Sequence, residues 1–386
     1  MNRPLLVIFL TIFVNLVGFG IIVPLLPFYA ERFGASGLTI GLLFGIFSLC
    51  QLVASPLLGA ASDRYGRRPV LIFSLAGTVV SFVLLAMAQS IAMLFVARVI
   101  DGLSGGNIST ARAYVADITE PKDRSRAYGI IGAAFGLGFI LGPAMSGLLA
   151  PVSYTAPIWA AAGITAVAML MAMVWLPETV HRTTASTGVP LRSLGSLLRR
   201  PYVRRVLLID FAYWLAFAVF QTTFALFVAR RFGFDAGQTG YFFAAFGLLG
   251  AVVQGLLIRP IVRRLGDKTT FILGLGCSAF GLVAATLTWS VWMFALAMIP
   301  LALGIGFGHP TISSLVSRAA RQDEQGRVQG AASAIESLGR AIGPVWGNAS
   351  LQRFGDATPY ISAAGFLLMT LLLSLNHQVS DSEPVS

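Results

Sequence analysis

Long apolar runs of about 20 residues or more, each enough to cross a bilayer, alternate with short polar breaks along the whole chain. The pattern predicts twelve membrane-spanning helices, at 5–30, 38–62, 69–90, 91–116, 127–150, 156–177, 206–229, 236–258, 269–289, 291–317, 328–351 and 357–376. The splits near Gln89 and Ser290 rest on short breaks, polar or flanked by tryptophan. The longest polar stretch, PETVHRTTASTGVPLRSLGSLLRRPYVRR at 177–205, divides the chain into six spans plus six. It reads as a cytoplasmic linker between a bundle at 1–176 and a second at 206–386, the latter ending in a short tail.

Composition supports lipid as the solvent. The 386 residues are 56% hydrophobic and only 11% charged, against roughly a quarter charged in soluble domains. The net charge of +11 would suggest nucleic acid, but the basic residues sit in short clusters between apolar runs. That is the pattern of loops at an anionic membrane face. With the N-terminus inside, twenty of the 27 Lys and Arg fall in cytoplasmic segments and four in outer loops. Arg98, Arg112 and Arg340 lie within spans. The asymmetry places both termini in the cytoplasm, and the expected location is the cell, or inner, membrane. The apolar run from residue 4 to 30 is too long for a signal-peptide core and reads as a retained first helix. Cys50 and Cys277 lie inside apolar runs, and neither a disulfide framework nor a metal site is expected.

The halves repeat. SDRYGRRPVLI at 62–72 matches VRRLGDKTTFI at 262–272, Gly66 falling on Gly266 and Ile72 on Ile272. Arg126, Gly129, Gly142 and Pro143 fall on Arg327, Gly330, Gly343 and Pro344. Two matches at nearly one shift indicate two pseudo-symmetric six-helix bundles, the architecture of secondary transporters with a site between repeats.

These motifs resemble the major facilitator superfamily. GAASDRYGRR resembles its signature for the loop between the second and third helices. Arg98 and Gly102 in RVIDG match its fourth-helix signature. Gly138, Gly142, Pro143 and Gly147 in GFILGPAMSG match the fifth-helix signature associated with antiporters. VPLLP at 23–27 matches a pattern of drug–proton antiporters, and the stretch from Arg112 to Pro143 resembles the tetracycline-efflux group. Two departures leave a tetracycline-like substrate open without implying it. Asn15 occupies the position of an acidic residue in the first helix, and the ninth span has no acid. The resemblance implies the major facilitator fold and proton-coupled efflux of drug-like molecules.

Ionisable groups at membrane depth cost about 2.5–3.5 kcal/mol each and are functional candidates by default. Asn15 lies about 15 Å into the first span, and Asp101 is similarly deep in the fourth. Arg98 and Asp101 are three apart, and Glu336 and Arg340 four apart, so each pair shares a helix face. Either is a structural ion pair or a proton relay opened by substrate. Asp210, about 6 Å inside the seventh span, meets Arg204 or Arg205 or joins that relay. The proton-coupling candidates are therefore Asp101, Glu336 and Asp210. His309 has a titratable or a structural role.

A drug pocket should be apolar with a few polar anchors. Phe211, Trp214 and Phe217 recur at helical spacing, followed by Gln221, while Gln254 adds an amide in the eighth span. With Asn15, Phe19, Arg98, Phe135 and Arg340 these are the substrate-binding candidates. Gly138, Gly142, Pro143, Gly343 and Pro344 are expected to form close helix contacts and bends at a rocking interface. In the loop at 59–70 the resemblance suggests a conformational latch. Gly59, Asp63, Arg67 and Arg68 would form it with Asp117, and Asp63 would favour the N-terminal dipole of the eleventh span. Arg263 stands in the repeat where Asp63 stands here.

The expected protein is thus a monomeric, non-enzymatic secondary transporter. Its partners are small molecules, protons and the bilayer, with no cofactor and no nucleic acid. A metabolite or sugar carrier, or a lipid flippase, on the same fold are the alternatives. An ATP-driven pump is unsupported because no GxxxxGK[ST] motif occurs.

Overall fold

A computed structural model describes residues 3–120, 123–179, 197, 199–320 and 324–375. Among them it is helical throughout, without strands. Its main α-helices are α1 (Arg3–Glu31), α2 (Gly37–Tyr65), α3 (Arg67–Ala86), α4 (Ile91–Ser104), α5 (Ile108–Ile118), α6 (Arg124–Leu149) and α7 (Ala156–Trp175), then α8 (Pro201–Phe232), α9 (Ala236–Val252), α10 (Ile258–Thr286), α11 (Val291–Arg318), α12 (Gln325–Phe354) and α13 (Ala357–Leu375). Each predicted span is occupied by helix, with ends shifted by a few residues. Most of the predicted linker, 180–196 and 198, lies outside the described residues, as do 376–386 of the tail.

The fourth span is not the continuous helix expected. It breaks at a 3₁₀ turn, Gly105–Asn107, between α4 and α5. Adjacent glycines at 105 and 106 carry the highest backbone entropy cost of any residue, so the helix yields there. The eighth and ninth spans run together as helix from Ala236 to Thr286, through a π-turn at Val253–Leu257, and bend sharply at Gly266. Gly266 has φ 78° and its repeat mate Gly66 has φ 107°, conformations that only glycine adopts cheaply. Both reverse the chain in one residue, so the repeat seen in letters is a repeat in geometry. Ser90 and Ser290 extend it, each accepting the amide N–H three residues on at 3.3 Å.

Among the described residues ten helices are long and apolar enough to cross a membrane, one of them the bent 236–286 pair. The thirty-residue α12 is as long but carries Glu336 and Arg340. Large apolar side chains such as Phe73, Leu256, Trp289 and Trp292 are exposed. Buried threonines, including Thr11, Thr165, Thr222 and Thr370, donate to carbonyls four residues back in their own helices. Polar groups satisfied inside and apolar ones outside are what hydrocarbon solvent requires.

The chain divides into two compact units. Unit 1 is Met1–Gly188 with Phe224–Ala229 and Gly233–Ala245; unit 2 is the remainder. The segment at 233–245 was expected in the second half. It groups with the first because Gly147 and Gly240 pack backbone to backbone: a Cβ on Gly240 would lie 2.7 Å from both Gly147 Cα and Pro143 O. Within unit 1, α1 meets α6 at a glycine seam, and a Cβ on Gly142 would lie 2.7 Å from Val17 O and 2.8 Å from Gly20 Cα. In unit 2, α8 and α12 repeat the device. A Cβ on Gly343 would lie 2.8 Å from Ala218 Cβ and 2.9 Å from Leu215 O. The candidate hinge glycines are thus seams of close helix contact, and α6 and α12 run as helix through Pro143 and Pro344.

Candidate functional site

Three groupings carry the polar chemistry. The first, in unit 1, centres on Arg98, 1% exposed, whose Nη1 meets Asp101 Oδ2 at 2.6 Å. Its guanidinium lies 4.1 Å from the centre of the Phe47 ring. Gly102 lets α4 sit this close to α2, since a Cβ there would lie 2.7 Å from Cys50 Cβ. Arg98 Nη2 is buried and has no hydrogen-bond partner among the described residues. Phe47 packs on Phe19, and Phe19 on Phe139, each with ring centres 6.1 Å apart. Phe135 packs against the apolar core of this unit. Asn15 Nδ2 donates to Asn107 Oδ1 at 2.9 Å, at the break in the fourth span.

The second grouping, in unit 2, joins α8, α11 and α12. Arg340 interacts electrostatically with both Glu336 and Asp210. Its Nη1 is 3.8 Å from Glu336 Oε2, and its Nη2 donates to Ser337 Oγ at 3.1 Å. The guanidinium lies 4.9 Å from the centre of the Trp214 ring. Trp214 in turn meets His309 edge to face at 4.9 Å and Phe217 at 5.6 Å. Asp210, 1% exposed, therefore belongs to this cluster rather than to Arg204 or Arg205. Arg205 instead donates to the Leu373 carbonyl. The predicted aromatic stripe splits between surroundings. Trp214 faces the charges, Phe217 lines a small apolar void with Phe220, Leu282 and Leu301, and Phe211 is half-buried. Gln221 is buried and its Nε2 has no partner among the described residues, while Gln254 is exposed in the π-turn.

The third grouping is the loop at Gly66. Arg67 joins Asp63 at 2.5 Å, Asp117 at 3.2 Å and Ser62 Oγ at 2.6 Å. Arg68 Nη2 donates to the Met173 carbonyl at 2.6 Å. Sequence reasoning missed Glu178. Its carboxylate accepts the backbone N–H groups of Arg67 and Arg68, at 2.9 and 3.2 Å, capping α3 where Gly66 offers no side chain. A Cβ on Gly66 would lie 2.7 Å from Glu178 Cδ, so the glycine also makes room for the cap. Around Gly59 a Cβ would meet nothing within 4 Å.

The repeat of this loop holds an ion pair of opposite polarity. Position 267 corresponds to 67, and 318 to 117 at the shift of the second match. In unit 2 it is Asp267 that accepts, from Arg318 Nη2 at 2.6 Å and from Ser314 Oγ at 2.8 Å. The pairing of the spans is preserved while the charges are exchanged.

Long helices with a lipid-compatible exterior, duplicated bundles and buried charge clusters at membrane depth define an integral membrane transport protein. The chain belongs to the Major Facilitator Superfamily, whose pattern it matches over residues 8–376. It is a transporter, not an enzyme, and members of this superfamily move small molecules. It is 33% identical over 354 residues to the tetracycline resistance protein, class C, of Escherichia coli, covering 89% of this chain and 88% of that one. It is 28% identical over 348 residues to multidrug resistance protein 1 of Bacillus subtilis (strain 168), covering 90% and 89%. The crystal structure of the human organic anion transporter MFSD10 (TETRAN) is similar with a TM-score of 0.74 and 27% identity, covering 96% of this chain and 99% of that one.

Proposed function

We propose that this protein exports amphipathic drug-like molecules from the cytoplasm in exchange for protons, by alternating access of its two bundles. The named relatives that resist tetracycline or several drugs support efflux. The observation that carries proton coupling is the charge count in unit 2. Glu336 lies 3.8 Å from Arg340, and the buried Asp210 lies within electrostatic reach of the same guanidinium. A net charge at this depth is costly, and one proton on either acid brings the cluster to neutrality. The Arg98–Asp101 pair is already balanced one to one. Asp210 and Glu336 are therefore the proton carriers, and Asp101 holds Arg98 in place. Trp214 and Phe217 supply apolar surface beside the titrating acids, so a bound drug and a proton act on the same cluster. With both termini cytoplasmic, the Gly66 loop faces the cytoplasm and latches transport states through Asp63.

The test is drug-driven proton movement in proteoliposomes. Asp210→Asn and Glu336→Gln should each reduce protons moved per drug while drug binding persists. Unchanged proton movement in both variants would sink the assignment. In cells lacking their own pumps, expression should lower drug accumulation, and a protonophore should abolish that effect.

A second reading is favoured by Arg98 Nη2, buried without a partner among the described residues. It suits a substrate carrying an anionic group, in keeping with the organic anion transporter of similar structure. Efflux of anionic dyes, lost in Arg98→Gln and kept in Arg340→Gln, would select it.

A further inference from the structure

The exchanged charges of the repeat leave a basic surface without a counter-anion. In unit 1 Arg67 has two carboxylates and Arg68 has a carbonyl, while Arg64, the counterpart of Arg264, lies over the Tyr65 ring. In unit 2 the only acid of the matching stretch, Asp267, is taken by Arg318. Arg263 stands where unit 1 has Asp63. Arg259, Arg263 and Arg264 are exposed, and none of them makes an ion pair among the described residues. Arg259 and Arg263 are one helical turn apart, with Cβ atoms about 5–6 Å from each other, a span that one phosphate bridges. Leu256, Leu257 and Leu265 are exposed on the same stretch, and Gly266 then ends it with the bend.

We propose that residues 256–265 bind an anionic phospholipid of the cytoplasmic leaflet. Its phosphate lies between Arg259 and Arg263, Arg264 adds charge, and its acyl chains lie along the exposed leucines. The proposal rests on the proposed orientation, with both termini cytoplasmic, which puts this end of α10 at the cytoplasmic face. Charge complementarity selects the occupant: three arginines with no protein acid among the described residues, at the end of a span, beside apolar surface in a membrane.

The test compares spin-labelled phosphatidylglycerol with spin-labelled phosphatidylcholine around the full-length protein in phosphatidylcholine vesicles. The protein should prefer phosphatidylglycerol, by about fivefold for each arginine that meets the phosphate. The variant R259Q/R263Q/R264Q should lose the preference, whereas Arg353→Gln, in the last turn of α12 and assigned to the opposite face, should keep it. If the triple variant does not fold, Arg263→Gln alone should lower the preference severalfold. An unchanged preference in a folded variant, or an equal loss in Arg353→Gln, overturns the lipid site. Orientation is read separately, with Arg264→Cys in a background of Cys50→Ser and Cys277→Ser. Labelling of intact cells by a membrane-impermeant thiol reagent would overturn the orientation, and with it the leaflet assigned to the lipid. Protection of the thiol together with an unchanged preference would overturn the lipid site alone.

Discussion

Replacing Gly142 with alanine adds one methyl group at the seam between α1 and α6. The new Cβ would lie 2.7 Å from Val17 O and 2.8 Å from Gly20 Cα. Both neighbours are backbone, so no side chain can turn aside to make room. Ordinary contact begins at 3.4 Å, so the helices must part by about 0.6–0.7 Å along a close-packed interface. Overpacking of this kind costs about 1–3 kcal/mol. Alanine returns up to about 1 kcal/mol of helix propensity. With the full return the net expectation is a loss of up to about 2 kcal/mol. Gly136 lies on the same helix, and a Cβ there would meet nothing within 4 Å. Gly136→Ala should therefore be neutral or stabilising by up to about 1 kcal/mol. Gly343→Ala, at the matching seam of unit 2, should behave like Gly142→Ala. The assay is the fraction of monodisperse protein surviving a temperature ramp in detergent, with drug transport measured on the same variants. If Gly142→Ala and Gly136→Ala denature at the same temperature, the seam does not hold the bundle together, and the packing argument fails.

Three further expectations follow from the ion pairs and the cap. Asp101→Asn leaves Arg98 buried without its carboxylate, so it should cost about 3–5 kcal/mol and lower the yield of folded protein more than Asp210→Asn does; equal yields would count against the division of roles. Asp267→Arg and Arg318→Asp should each destabilise unit 2, and the two together should recover part of the loss. The coupling should be only about 0.2–1 kcal/mol because Arg318 is 64% exposed, and a double-mutant cycle with no coupling would refute the exchanged pair. Glu178→Ala removes the cap of α3 and should cost about 1–2 kcal/mol, with Glu178→Gln in between. Thermal midpoints that rank otherwise would show that the two N–H groups find other partners.

What the sequence disclosed follows how far each interaction reaches along the chain. Hydropathy located the spans because solvent choice is written into every residue. Arg98 and Asp101 are neighbours on one helix, so their pairing needed only helical geometry. Asn15 and Asn107 are 92 positions apart and Arg67 and Glu178 are 111 apart. Their meeting depends on which helices pack, which periodicity does not encode. The break at Gly105–Asn107 was visible as two adjacent glycines but was overridden by the apolar run around it. The company of Asp210 stayed open because two arginines lie nearer in sequence than Arg340 does. The exchanged ion pair was within reach: carrying the shift of the second match back to Asp117 leads to Arg318, and Arg67 leads to Asp267.

The joint at Gly66 has a mechanical consequence. One residue connects α2 to α3, and Glu178, just beyond α7, grips the first turn of α3. With 29 residues, α2 is a rod about 43 Å long. A pivot of about 10° at its Gly66 end would swing the far end by about 7 Å. A small rearrangement of carboxylates around one glycine thus has leverage over the opposite side of the bilayer.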